Sequence, residues 1–489
     1  MVIFLIVVFL FGYLCIALEH PLKINKAATA LMTATATWML YMLIAPKVVP
    51  GTVGFEFFLS ENPTIGRLPL HEQVVRYVQQ VQIIGSVGDI AEILFFLIGA
   101  MTIVELIDVH GGFNIITNRI TTRKKRRLLW IVGTITFFMS ATLDNLTTTI
   151  VMLALLRKLI ANYKERWLFA GIIVIAANCG GAWSPIGDVT TIMLWVRGNV
   201  TTGGLVPYLF VPCAVAFAVP TLIAQRWIGG EVTPAAPRRL AAVQVRGGEV
   251  NYFTHVDGAT SISERERLSI FLLGVGCLLF VPFFKSITHL PPFMGILGAL
   301  GIMWFYTEVM YRHKSGMPEG AKRRIPDVLR RIDTPTILFF LGILLAVSAL
   351  QMAGVLAGLS EWLDGRIHNV YLIDLLIGAL SSVIDNVPLV AGAMATYPIA
   401  DPETVAAMAA DGAYLSYFVQ DGVFWTFLAY CAGVGGSMLI IGSAAGVVAM
   451  GMERINFGWY LKNISLIALI GYLAGAAVYV LQLVLAGVL

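Results

Sequence analysis

Charge is scarce in this sequence. Only 13% of its 489 residues are Asp, Glu, Lys or Arg, about half the share of an ordinary globular protein, while 58% are hydrophobic. That shortage excludes a soluble enzyme, a nucleic-acid binder and a disordered chain. Paired cysteines are lacking as well. Cys15, Cys179, Cys213, Cys277 and Cys431 stand singly in apolar runs with no C-x-x-C spacing, so neither a disulfide framework nor a zinc site is indicated. They read as small packing or lipid-facing residues. The first apolar run has neither a basic leading segment nor a small-residue cleavage site before Glu19, His20 and Pro21, so it is read as a helix and not a signal peptide. Strand-like alternation is missing too: the apolar runs are unbroken and of helix length, beginning with MVIFLIVVFLFGYLCIAL. The fold class is therefore an all-α polytopic membrane protein, with the lipid bilayer as its partner and no nucleic acid and no cofactor expected.

Apolar runs long enough to span fall at 2–18, 27–45, 91–110, 167–198, 204–226, 268–285, 292–311, 335–353, 415–446 and 464–487. Two further stretches are apolar at both ends and polar in the middle. Residues 128–156 are interrupted by Thr142, Asp144, Asn145, Thr147, Thr148 and Thr149, and 369–400 by Ser381, Ser382, Asp385, Asn386 and Pro388. Each predicts a re-entrant hairpin. Basic residues collect in cytoplasmic loops, and placing 19–26, 119–127, 157–166, 226–267, 312–331 and 451–463 inside puts 27 of the 33 Lys and Arg there. The first hairpin then opens from the cytoplasm and the second from outside, with both termini external. The segment HEQVVRYVQQVQII, within 46–90, reads as an outer surface helix.

The sequence also repeats itself. ILFFL occurs at 93–97 and 337–341, SATLDN at 140–145 matches SSVIDN at 381–386 with an offset of 241, and GGAWSPIGD at 180–188 matches GGSMLIIGS at 435–443 with an offset of 255. The chain divides into a first repeat over 1–230, a cytoplasmic linker over 231–267 and a second repeat over 268–489. Each repeat has three spans, a hairpin and two further spans, one of them broken (167–198 and 415–446). An odd number of crossings inverts the second repeat relative to the first. Inverted repeats with broken helices at the bilayer midplane mark secondary transporters, not enzymes.

A carboxylate at the bilayer centre costs about 2.5–3.5 kcal/mol on insertion scales, so it persists mainly where it faces a cavity or a partner. Asp144 and Asp385 sit at the hairpin tips, followed by Asn145 and Asn386. Asn178 and Asp188 flank the Gly- and Pro-rich break of 167–198, which frees backbone carbonyls. Carboxylate, amide, hydroxyl and carbonyl oxygens suit a hard cation such as Na⁺ or Li⁺. Crowded buried acids also favour neutral forms, so protons compete with the metal ion. The tip pairs could alternatively serve only as helix caps, as could Asp188, whose repeat counterpart is Ser443. Glu92, Glu105, Asp108 and Asp374 lie toward segment ends and read as interfacial.

With SATLDNLTTTIVM at 140–152, ANCGGAWSPIGDVTTIMLW at 177–195 and SSVIDNVPLVAGAM at 381–394, the chain resembles the NhaD-type sodium/proton antiporters of the ion transporter superfamily. The resemblance implies a homodimer in a cell inner membrane. It also implies an elevator-like transport domain and export of Na⁺ or Li⁺ against entering protons. It assigns ion binding to Asp144, Asn145, Asn178, Asp188, Asp385 and Asn386; the nearby hydroxyls of Thr147, Ser437 and Ser443 are candidate secondary ligands. The second broken helix lacks an Asn or an acid, which limits it to backbone and hydroxyl oxygens. An anion or dicarboxylate carrier of the same superfamily is the alternative, disfavoured because acidic tips repel such cargo. An intramembrane aspartyl protease is a remote one, since Pro185-Ile186-Gly187-Asp188 lacks the first Gly of G-x-G-D.

Overall fold

Backbone polar groups that lie in lipid must find partners within their own segment, and apolar runs of this length satisfy them as helices. A computed structural model of the chain describes residues 1–17, 23–113, 122–232, 262–314, 322–383, 385–407 and 412–487. Among these residues there is no strand. Seven helices are long and apolar enough to cross a membrane: α2 (Lys26–Val48), α3 (Leu70–Val109), α8 (Thr202–Trp227), α9 (Glu264–Thr288), α10 (Pro292–Arg312), α11 (Thr334–Met352) and α16 (Phe457–Leu485). The chain opens with the shorter α1 (Val2–Ala17).

Local chemistry sets where these helices begin. Asn25 caps α2 by accepting from the Ala27 amide at 2.8 Å, and Ser263 starts α9 in a capping box with Glu266. Asp333 accepts from the Thr336 amide ahead of α11, and Pro292 sits in the first turn of α10, where its missing N–H costs nothing.

The interrupted stretches fold as pairs. The first hairpin has arms α4 (Lys125–Leu143) and α5 (Asn145–Leu159) with Asp144 between them, and the second has α12 (Val370–Ser381) and α13 (Asn386–Thr396). The first broken helix comprises α6 (Tyr163–Ala182) and α7 (Val189–Val196), and the second α14 (Val423–Gly435) and α15 (Ala444–Glu453). Glycines at both breaks, joined by Pro185 in the first, explain them, because neither residue sustains the helical ladder.

Packing sorts the helices into two groups. In one, α2 lies on α1 and α11, α3 on α10 and α11, and α9 on α10; in the other, α6 and α14 run through the middle with α4, α5, α12 and α13 against them and α8 packed on α16, while α13 also packs on α11 and so joins the two. The second group is densely apolar, with Trp195, Trp425 and Tyr430 fully buried. Equivalent contacts recur in the two halves. Ser140 donates to the Ala177 carbonyl at 2.6 Å, and Ser381, 241 residues on, donates to that of Ala432, 255 residues on, at 2.8 Å. A β-carbon on Gly180 would strike the backbone of Phe137, and one on Gly435 that of Gly378, at the same two offsets. These are close backbone crossings that only glycine permits.

Two expectations need correction. The segment HEQVVRYVQQVQII is not a separate surface helix: it is the first part of α3, joined through a π-helical segment at Val78–Ile83 that absorbs the register change. Tyr77 anchors it against the rings of Phe55 and Phe58, both at 5.4 Å. The acid-bearing segment EWLDGR ahead of the second hairpin, outside the apolar runs that predict spans, belongs to a helix over Val355–Arg366. Glu19, His20 and most of the 231–267 linker lie outside the described residues.

Candidate functional site

The two hairpin tips and the first broken helix meet at Asp188. The break at Trp183–Asp188 leaves this residue as the N-cap of α7, where its carboxylate accepts from the Thr190 amide and hydroxyl, both at 3.1 Å, and its own amide donates to Thr191. Capping is only part of its role. Asn145, from the first tip, donates its amide to Asp188 Oδ2 at 2.7 Å, and Asn386, from the second, donates to Oδ1 and Oδ2 at 3.3 and 3.2 Å. One buried carboxylate, 2% exposed, is therefore held by side chains from both halves of the chain.

The network extends to the second broken helix. Asn145 also donates to Asn178 Oδ1 at 3.2 Å, and Asn178 donates to the Ser443 hydroxyl at 2.9 Å. Ser443 caps α15 by accepting from the Gly446 amide, as Asp188 caps α7. Asn178 is fully buried in mid-helix, where an amide side chain survives only if its donors and acceptors are used.

The tip acids themselves are engaged differently. Asp144 has φ = 72°, a region that side chains with a β-carbon avoid at a cost of about 1–3 kcal/mol, and its carboxylate fixes that turn by accepting from the Thr147 amide at 2.8 Å and hydroxyl at 2.9 Å. Asp385 has an ordinary φ of −46° and lies 3.0 Å from the Lys26 ammonium. Thus Asp188, Asn145, Asn178, Asn386 and Ser443 form one bonded set, with Asp144 and Thr147 on one flank and Asp385 on the other. Ser437 does not join it: from the break after α14 its hydroxyl donates back to the Val434 carbonyl. Among the described residues no three His, Cys, Asp or Glu side chains gather closely enough to hold a metal ion between them. Any cation held here would need neutral oxygens as well as acids.

Three residues of this region escape a reading of the sequence. Thr190 and Thr191 lie two and three residues beyond Asp188, where hydroxyls in an apolar run carry no distinguishing pattern. Lys26 is 359 residues from its partner and looks like an ordinary loop-flanking lysine. Asp374 needs a further correction. It is not interfacial but fully buried, and neither carboxylate oxygen has a hydrogen-bond partner among the described residues. Glu105 does sit at a helix end, 3.6 Å from Arg331.

The chain is also similar along most of its length to known transport proteins. A family model described as a citrate transporter, CitMHS, matches residues 13–412. Sodium/proton antiporter 1 of Arabidopsis thaliana is 42% identical over 468 residues, covering 96% of this chain and 70% of its own. The Na(+)/H(+) antiporters NhaD of Alkalimonas amylolytica and Vibrio cholerae are 28% and 27% identical, each over 97% of this chain and about nine-tenths of their own length.

Proposed function

The chain belongs to the NhaD-type sodium/proton antiporters of the ion transporter superfamily, and from that premise we propose that Asp188 and the two hairpin tips form a single pocket in which Na⁺ or Li⁺ competes with protons. It is a multi-pass membrane protein and a sodium/proton exchanger, not an enzyme. The observation that carries the proposal is the pair of asparagines, Asn145 and Asn386, that reach Asp188 from opposite halves of the chain.

The chemistry follows from the donor set. Asp188 supplies charge at the centre. Each asparagine carries an amide donor and a carbonyl oxygen on the same planar group, so it can brace a carboxylate with one end and coordinate a cation with the other. Asp144 and Asp385 add charge from the flanks, and Thr147 and Ser443 add hydroxyl oxygens. A bare set of carboxylates is costly in the bilayer core, so only states neutralised by a metal ion or by protons cross readily, and that requirement couples the two fluxes.

Crossing is an elevator-like displacement of the second helix group against the first. The contacts recurring at offsets of 241 and 255 support a duplication, and the charge pattern of the loops supports its inversion, which would make inward- and outward-facing arrangements near equivalents. On this reading the chain works as a homodimer in a cell inner membrane with its termini outside, exporting Na⁺ or Li⁺ for entering protons.

The description of the matched family favours one second reading, a carrier of citrate or a similar anion. Acidic tips oppose it, and the lysine beside them is already paired with Asp385. Reconstitution into liposomes with a pH-sensitive dye separates the two. Addition of Na⁺ or Li⁺ should dissipate an imposed ΔpH and addition of K⁺ or citrate should not. Uptake of labelled citrate without a Na⁺-linked pH change would overturn the proposal.

A further inference from the structure

Lys26 opens α2, in the helix group opposite to the one that carries the hairpins. Its ammonium lies 3.0 Å from Asp385 Oδ2 and 4.4 Å from the centre of the Phe339 ring on α11. Both partners of the ion pair are poorly solvated, with side-chain exposures of 25% and 18%. A lysine from one body therefore neutralises a tip acid of the other. The two tips differ here: Asp144 is satisfied by Thr147 from its own hairpin, and among the described residues only Asp385 is met by a cation from the facing group.

We propose that Lys26 is a resident counter-charge on Asp385 that competes directly with Na⁺ for this carboxylate, so that loading the ion detaches the second hairpin from α2. The inference rests on the reading of Asp385 as an ion ligand. An ammonium and a sodium ion carry the same charge, so Asp385 stays neutralised whichever holds it. What differs is the tether. Lys26 is fixed to α2, which packs on α1 and α11, and its ion pair adds a charged hold on a hairpin whose arm α13 also packs on α11. A hairpin whose acid is neutralised by Na⁺ takes its counter-charge along. The phenyl face of Phe339 gives the released ammonium a favourable place to remain. Cargo binding and release of the mobile body become one event.

The test is Na⁺ binding to the purified full chain by calorimetry, with the melting temperature measured in parallel. Lys26→Gln removes the competitor and keeps the stem, and Na⁺ affinity should rise roughly five- to tenfold while the melting temperature changes little, since a part-exposed ion pair adds only modestly to stability. Unchanged or weaker Na⁺ binding in a folded Lys26→Gln protein overturns the inference. Should that variant not survive purification, Lys26→Arg carries the test in the opposite sense: a bidentate fork grips the carboxylate harder, so Na⁺ affinity should fall, and an unchanged affinity is again fatal. Asp385→Asn separates this inference from the reading beneath it. If Asp385→Asn binds Na⁺ like the wild type, Asp385 is no ligand and both fail. If it loses binding but Lys26→Gln does not gain it, only the role of Lys26 fails.

Discussion

Asp188 is both a helix cap and the point where two asparagines converge, and these roles can be separated by substitution. Asp188→Asn keeps an acceptor oxygen for the Thr190 amide but removes the charge. Na⁺ affinity should fall at least tenfold, about 1.4 kcal/mol, with little change in melting temperature, as read by calorimetry and thermal denaturation on the same preparation. The two serines of the second broken helix give a sharper contrast. Ser443 accepts from Asn178 and caps α15, so Ser443→Ala should cost about 1 kcal/mol in stability and reduce Na⁺-driven exchange. The Ser437 hydroxyl is hydrogen-bonded only to the Val434 carbonyl at the end of α14, so Ser437→Ala should leave exchange unchanged at a stability cost of about 1 kcal/mol. Equal losses of exchange for both would mean that the network through Asn178 does not matter. Asp144, Asn145, Asn178, Asp188, Asp385 and Asn386 could be picked out in the sequence because an acid or amide inside an apolar run is conspicuous. Lys26 could not, because a lysine at the start of a span is what the charge distribution of any membrane protein produces. Asp374 was misjudged because sequence position gives distance along a helix and says nothing about what packs around it.

At the level of elements, the broken helices and hairpins were legible because polar residues interrupt them at matched places, Asp144 with Asp385 and the glycine pairs at 180–181 and 435–436. The long helix α3 was not, since its first turns are rich in Gln, Glu and Arg and resemble a surface segment until Tyr77 is seen between Phe55 and Phe58. The glycine crossings offer a test of the duplication. Alanine at Gly180 or Gly435 would drive a methyl into the backbone of Phe137 or Gly378. Each substitution should destabilise the protein by about 1–3 kcal/mol, and the two melting temperatures should fall by similar amounts. A large effect at one site and none at the other would mean that the halves are not equivalent.

Across the whole molecule, the two helix groups meet through apolar packing of α11 on α13 and of α3 on α7, and through a small set of polar contacts. Besides Lys26 with Asp385, Arg197 beyond α7 pairs with Asp89 of α3 at 2.6 Å, and Lys285 of α9 donates to the Trp195 carbonyl and stands over the Trp195 ring. Part-exposed ion pairs are weak enough to exchange during a cycle. If the groups slide, cysteines at positions 89 and 197 joined by a short bifunctional thiol reagent, in a background without the native cysteines, should stop Na⁺-driven proton flux, and a cleavable linker should restore it on reduction. Undiminished flux through a fully cross-linked sample would exclude the elevator displacement.

Glu453, at the end of α15, is 3% exposed and gripped by Arg157 at 2.6 Å and Arg166 at 2.7 Å, while Trp167 donates to its carbonyl. The two arginines come from the first half of the polypeptide and the glutamate from its last tenth. During synthesis, then, the amino-terminal portion sits in the bilayer with two cations awaiting an anion that the ribosome has yet to deliver, and Asn178 awaits Ser443 in the same way. A nascent product halted before residue 443 would be more than a shortened exchanger: it would lack the pieces that close its own centre, and so should be a natural target for membrane quality control.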